Sequence, residues 1–265
     1  MLCKICSGEQ KKVITFTKAQ KKENLFGLEK KKNFKRSIYV CKKCGHYTNQ
    51  HSYSDFLKKV YKKNYAKFSY GKISKKFLTI KNLPKNKSSN YFRCKFLIKN
   101  LYNMTDKKLL DIGAGFGIFA YTMKQYGWDV KALEVNRDLK SFILNKLKIK
   151  TIGTDIIKKQ FNKNKKFNLI TLNKVLEHFD HLESLNILKK IKKILSPNGY
   201  VYIEVPNGEA AGKNGLNRQE FYLEHYNIFS MKSIKILLNN LNFKIFKIKK
   251  LKEINGKYTI RVLAK

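Results

Sequence analysis

Three glycines at alternate positions, Gly113, Gly115 and Gly117, lie between the apolar run Leu109 to Ile112 and the apolar Ile118 to Ala120. Glycine is needed where a backbone turns sharply or a ligand comes close to it. A short apolar run entering such a turn reads as a buried parallel strand, and the ligand outside its end is usually a nucleotide-like cofactor. An acid about 20 residues further on is expected to hold the ribose, and Glu134 ends the next apolar run. The spacing is G-x-G-x-G, with Asp111 before it, and not the dinucleotide G-x-G-x-x-G. A glycine turn without a ligand is the plainer reading.

Four of the five cysteines form two C-x-x-C pairs, Cys3/Cys6 and Cys41/Cys44, while Cys94 stands alone. Two such pairs can turn round one tetrahedral zinc and close it with four sulfurs, which leaves no open position for chemistry. The implied role is structural, with reactive thiols as the alternative. Gly8 and Gly45 follow the pairs as knuckle turns require, and His46 reads as a surface histidine. The basic stretch Lys11 to Arg36 would be a hairpin or loop that lengthens a compact ribbon.

These residues need elements to position them. From Lys108 strands and helices alternate, the signature of a doubly wound α/β sheet. Strands are expected at 108–112, 129–134, 149–152, 167–172, 200–205, 243–251 and 257–264. Helices are expected at 117–126, 137–147, 182–195 and 231–240, with Pro197-Asn198-Gly199 turning into the fifth strand. Before the sheet, 90–102 has a helical period that could cover the cofactor crevice. Tyr53, Tyr61, Tyr65 and Tyr70 punctuate the lysine-rich segment ahead of it and would face a substrate. The chain divides into a zinc-ribbon unit at 1–50, a linker and helical cap at 51–107, and a catalytic domain at 108–265.

The glycine stretch with Asp111 resembles motif I of the class I S-adenosylmethionine (SAM) methyltransferases. Asn168 to His178, and Leu195 to Asn207, match further motifs of that family, and the closing pair of strands resembles its sheet, in which the last strand is antiparallel. The resemblance implies a Rossmann-like seven-stranded sheet with SAM as cofactor. Asp111, Gly113, Gly115 and Gly117 would meet the methionine portion and Glu134 both ribose hydroxyls. Asp155 would meet the adenine amino group, Ile156 would pack on its ring, and Asn173 would line the site.

Methyl transfer from a sulfonium needs a general base where the acceptor begins as a hydroxyl or carbon acid. The candidates are His178, His181, Glu224 and His225. The segment Phe221 to Ser230 contains Tyr-x-Glu-His and, with the zinc unit, looks like the sugar C-methyltransferases that act on nucleotide-linked keto-sugars. That likeness implies His225 as the base with Glu224, Tyr222 and His181 assisting, and enolate attack on the methyl. Tyr65 and Phe68-Ser69 echo the family's substrate loop. The chain also resembles zinc-bearing methyltransferases found with surface-polysaccharide genes.

The formal net charge of +40 suits a polyanionic partner, a phosphorylated small molecule included. Only five of the 58 basic residues are arginine, however, and lysine is spread through every segment with Asn, Ile, Phe and Tyr, as A/T-rich codons would also give. Arginine is the residue suited to forked phosphate and base contacts. An RNA methyltransferase is therefore the alternative reading and nucleic acid is not the favoured partner. No apolar run approaches the ~18 residues of a membrane span. The first residues lack an apolar signal core, so a cytoplasmic location is expected. The preferred acceptor is a sugar nucleotide or glycan intermediate.

Overall fold

The computed structural model describes residues 1–20, 27–28, 33–63, 65–162 and 166–265, without the side chains of Phe68 and Ser69. The echo read at Phe68-Ser69 and much of the Lys11–Arg36 connection therefore lie outside the described residues.

The N-terminal strands are β1 (Gln10–Phe16), β2 (Arg36–Cys41) and β3 (Tyr47–Gln50). Then come α1 (Ser54–Lys63), α2 (Tyr65–Tyr70), α3 (Ile73–Lys81) and α4 (Ser89–Asn100). The alternating part runs β4 (Lys108–Ile112), α5 (Ile118–Gln125), β5 (Asp129–Leu133), α6 (Arg137–Asn145), β6 (Lys150–Thr151), β7 (Phe167–Asn173) and α7 (His181–Ile194). It ends with β8 (Leu195–Pro206), α8 (Gly208–Gly212), β9 (Asn227–Ile228), α9 (Met231–Asn239), β10 (Ile245–Lys252) and β11 (Tyr258–Ala264).

Seven strands make one sheet in the order β10-β11-β8-β7-β4-β5-β6. Strand β4 pairs in parallel with β5 and β7, β5 with β6, and β10 pairs antiparallel with β11. The expected α/β sheet is present, with the last strand inserted beside β10. Its centre is apolar because parallel strands are covered on both faces: Leu109, Leu110, Leu169 and Ile170 have no exposed surface. One boundary differs by more than two residues. The expected turn at Pro197-Asn198-Gly199 is extended, and β8 begins at Leu195; proline is tolerated near the start of a strand, where its missing N–H breaks no ladder bond.

The chain packs as two compact units. The first comprises Met1–Lys58, Lys174–Lys189 and Ile203–Lys265. Within it β1, β2, β3 and β9 form a second sheet in that order. The unexpected member is β9, drawn from the irregular stretch after β8 and paired through Tyr47↔Ile228 and Thr48↔Asn227. Ile38, Ala211, Phe221 and Ile228 form the core beneath this sheet. Tyr47 reaches into it beside Gly212, where an added Cβ would stand 2.6 Å from the tyrosine hydroxyl.

The second unit comprises Lys59–Asn173 and Lys190–Tyr202. Here Ser88 caps α4 by accepting from the Tyr91 N–H, and Asn90 ties the helix to α5 through Thr122 at 2.9 Å.

Candidate active site

In the second unit the strand ends of β4, β5 and β7 carry the polar residues. Gly115 has φ +57°, a left-handed backbone that a side chain would strain, and a Cβ there would stand 3.5 Å from the Tyr70 hydroxyl. Gly117 begins α5 at φ +76°, and its Cβ would stand 2.6 Å from Leu147 Cδ1. The loop is pinned to the acid that follows it. The Gly115 N–H donates to Glu134 Oε2 at 2.8 Å, and the Asn136 N–H to Glu134 Oε1 at 2.9 Å. Asn136 then caps α6 with its side-chain oxygen and donates to the Tyr61 carbonyl at 3.1 Å. Burial nevertheless raises the Glu134 carboxyl to about 7, against the three backbone bonds that favour its anion.

Asp111 is 1% exposed, and burial raises it to about 6. Its Oδ1 accepts from the Thr171 hydroxyl at 2.7 Å and from Asn173 Nδ2 at 3.1 Å. Its Oδ2 and Asn173 Oδ1 are buried and have no hydrogen-bond partner among the described residues. Buried acceptors seldom remain unpaired in a folded protein. Two of them at adjacent strand ends suit an ammonium group, the chemistry a bound amino acid moiety supplies. Arg93 on α4 lies near enough for its charge to favour the Asp111 anion.

Tyr70 covers the glycine loop, edge-on to Phe116 at 4.9 Å, and Tyr65 meets it in turn at 5.7 Å. From residues 90–102, expected as cover, Arg93 on α4 comes near Asp111, and the aromatics beside the glycine loop belong to α2. Asp155 is half-buried and accepts from the Ile157 N–H at 2.9 Å, while Ile156 is 2% exposed.

The first unit holds the cysteines and the histidines. Cys3 Sγ lies 3.7 Å from Cys44 Sγ, and Cys6 Sγ 3.4 Å from Cys41 Sγ. Four sulfurs round a zinc at ~2.3 Å stand about 3.8 Å apart, and all four sulfurs here lie within 4.8 Å of one another. The donor set therefore fits tetrahedral zinc and a zinc ribbon. The Cys44 thiol holds Cys3 down to about 4 while Cys44 itself is raised, as for two sulfurs sharing one proton. The left-handed residues of the two knuckles are Ser7 and Gly45. Gly8 is required by space instead, since its Cβ would meet Lys43 Cβ at 2.5 Å. His46 is not at the surface as expected. It is 1% exposed, and its Nε2 is 3.0 Å from Asn227 Oδ1.

His225 follows Tyr222 and Glu224 on the segment leading to β9. Its Nδ1 lies on the Glu220 carbonyl at 2.9 Å, and burial, helped by the charge of His178, keeps it far below its usual range and hence neutral. His178 lies beside it, with ring centroids 4.9 Å apart, and its Nδ1 meets the Glu224 carbonyl at 2.9 Å. His181 is placed elsewhere: it begins α7 and its electrostatic neighbours are Lys4 and Cys3. The histidine that accompanies His225 is thus His178. The stretch Val175 to His178 marked it, but nothing in the spacing ranked it above His181.

Three further groups escaped the sequence. Asn49 on β3 points Nδ2 at the carbonyls of Phe221, Tyr222 and His225, at 3.3, 3.1 and 2.7 Å. Arg36 donates to the Phe221 carbonyl at 2.6 Å. Glu177 is fully buried. No motif marks Asn49 or Arg36, because their partners are backbone atoms more than a hundred residues away, and the stretch Asn168 to His178 contains Glu177 without giving it a role.

Comparison with known proteins agrees with the fold. A family profile described as a methyltransferase domain matches residues 81–248. An uncharacterized protein of Methanocaldococcus jannaschii is 32% identical over 126 residues, 48% of this chain and 50% of that protein. The ubiquinone biosynthesis O-methyltransferase of Aliivibrio fischeri is 25% identical over 125 residues, 44% of this chain and 52% of that enzyme. The chain spans about half the length of the curated relatives it matches. Among solved structures, the magnesium protoporphyrin IX methyltransferase of Synechocystis, with bound SAH, superposes with a TM-score of 0.54 at 13% identity. It covers 68% of this chain and 82% of its own, a likeness of fold. The profile match covers well over half of the 265 residues, and the chain belongs to the methyltransferase-domain family.

Proposed function

We propose that the protein is a SAM-dependent methyltransferase whose acceptor is a sugar nucleotide or glycan intermediate. The observation that carries the cofactor assignment is the pair of buried acceptors, Asp111 Oδ2 and Asn173 Oδ1, without a partner among the described residues, beside a glycine loop braced by Glu134. In this reading Asp111 and Asn173 take the methionine ammonium and Arg93 its carboxylate. Glu134, whose oxygens each retain acceptor capacity, takes the ribose hydroxyls. Asp155 and Ile156 serve the adenine. SAM, when bound, supplies an electrophilic methyl on a sulfonium, and positioning provides most of the rate.

The neutral imidazole of His225 removes the acceptor's proton. Its Nδ1 contact with the Glu220 carbonyl fixes the tautomer in which Nε2 accepts. Glu224 and Tyr222 belong to the same segment and assist, with His178 in the supporting place first given to His181. Zinc at Cys3, Cys6, Cys41 and Cys44 is structural. The sugar or glycan acceptor is supported by the Tyr-x-Glu-His segment together with the zinc unit. Residues 1–50 act as the zinc ribbon, 51–107 as linker and cap, and 108–265 as the transferase domain.

Calorimetric titration with SAM tests the cofactor assignment. Glu134→Ala and Gly115→Val should each weaken binding by 10-fold or more (about 1.4 kcal/mol), and unchanged affinity in both removes it. The net charge of +40 favours one second reading, transfer to RNA. Methyl incorporation into total RNA, falling steeply with salt, would support it over the glycan acceptor.

A further inference from the structure

The histidine pair has a third member that the proposed base chemistry leaves unused. Glu177 is 0% exposed, and among the described residues neither of its carboxylate oxygens has a hydrogen-bond partner from another residue. A carboxylate oxygen of Glu177 and one ring nitrogen each of His178 and His225 lie within 4.8 Å of one another. A carboxylate buried without a partner is costly, so a proton or a cation has to meet it.

The imidazoles are arranged to serve a cation. Each rests Nδ1 on a backbone carbonyl, Glu224 for His178 and Glu220 for His225, both at 2.9 Å. Outer hydrogen bonds of this kind orient metal-bound imidazoles and place the lone pair on the other nitrogen. His178 also has a backbone bond at Lys174, which an ion would replace. Of the two cations that face the cluster, Lys174 is paired with Glu253 at 2.8 Å and lies 4.0 Å from Glu204, while Lys257 is half-buried in the turn before β11. Ligand atoms round an ion with bonds of ~2.1 Å stand roughly 3–4.2 Å apart, so adjustment by less than about 1 Å closes the set.

We propose that Glu177, His178 and His225 bind one divalent transition-metal cation, at a site separate from the four cysteines. Two imidazoles and a carboxylate suit zinc, iron(II) or cobalt(II) better than magnesium. Three protein ligands leave positions open for an acceptor oxygen, whose proton the ion would make easier to lose. An ion on His225 uses the lone pair that the base would use. Metal ligand and general base are thus alternative states of one nitrogen, and metal stoichiometry decides between them without any methyl transfer being measured.

The test uses the full chain with its cysteines loaded with zinc, titrated with cobalt(II) and followed by visible absorption. The expected result is one further equivalent, with ligand-field bands and no thiolate charge-transfer band. Glu177→Gln and His225→Gln should each weaken that equivalent ~100-fold while keeping the cysteine-bound zinc, which reports that the first unit is folded. Absence of the equivalent in the wild type overturns the proposal, as does its persistence in either variant. X-ray absorption of the wild-type cobalt gives a reading that needs no variant: imidazole and oxygen ligation supports the site, and sulfur ligation overturns it.

Discussion

Glu134 both braces the glycine loop and, in the proposed complex, holds the ribose, and the two tasks pull on its protonation. Its carboxyl is raised to about 7 in the folded chain by burial, from an ordinary value of 4.5. A group whose folded value is raised contributes stability that is complete below its unfolded value and is lost as pH rises through the folded one. The histidines His46, His51 and His178 work the other way. Burial lowers each to about 4, so their contribution is lost only as pH falls below about 6.5. Above that value they are neutral whether folded or not. Between about pH 6.5 and 8 the cofactor-free protein should therefore lose thermal stability, through Glu134 up to about pH 7 and through Glu177, which burial raises to about 8, over the rest, at up to ~1.4 kcal/mol per pH unit for each. Melting curves across this range check it, and Glu134→Gln should flatten the slope. An equally steep slope in that variant would assign the loss to other groups. The position of Glu134 is legible in the sequence, since the acid follows the glycines at the spacing a ribose requires. Its raised protonation is not legible, because that depends on how completely Tyr70, the loop and β5 exclude water.

At the scale of elements, β3 and β9 explain why the first unit contains both the cysteines and His225. The knuckle at Cys44 accepts a hydrogen bond from the Ser230 hydroxyl, β3 pairs with β9, and Asn49 on β3 holds the carbonyls of the Tyr-x-Glu-His segment. The order of strands and helices after Lys108 is legible from alternating apolar runs, while the inserted last strand follows from the resemblance of the closing pair to a methyltransferase sheet. The tie from β3 to β9 is not. A two-residue strand has no periodicity, and Asn49 bonds backbone atoms that carry no sequence label. This tie predicts that Asn49→Ala, which removes hydrogen bonds worth about 1–3 kcal/mol when their buried partners are left unpaired, slows methyl transfer while SAM affinity stays within two-fold or so. Chelation of the zinc should act in the same direction and further. SAM titration beside single-turnover rates separates the two effects; equal losses of binding and rate would show that the tie does more than position His225.

For the molecule as a whole the dominant quantity is charge. There are 58 basic residues to 18 acidic ones, and several of those acids, Asp111, Glu134 and Glu177 among them, are buried and held towards their neutral form. The exposed lysines therefore have few acidic partners. The pairs Lys42–Glu9, Lys108–Asp106 and Lys250–Glu209 lie at the surface, where an ion pair contributes ~0–1 kcal/mol. Self-repulsion among the remainder destabilises the compact state and is screened by salt, with a Debye length of ~10 Å at 0.1 M and ~3 Å at 1 M. Thermal stability should rise as sodium chloride increases from about 0.05 to 0.5 M, in contrast to a protein held by surface ion pairs. The same field should make RNA and a sugar polyanion such as heparin bind with similar affinities and similar salt slopes, because lysines spread over every segment read charge and not sequence. Filter binding with both polymers over that salt range decides the matter. RNA binding that persists at high salt while heparin is released would identify a specific nucleic-acid surface, and would move the acceptor from glycan to RNA.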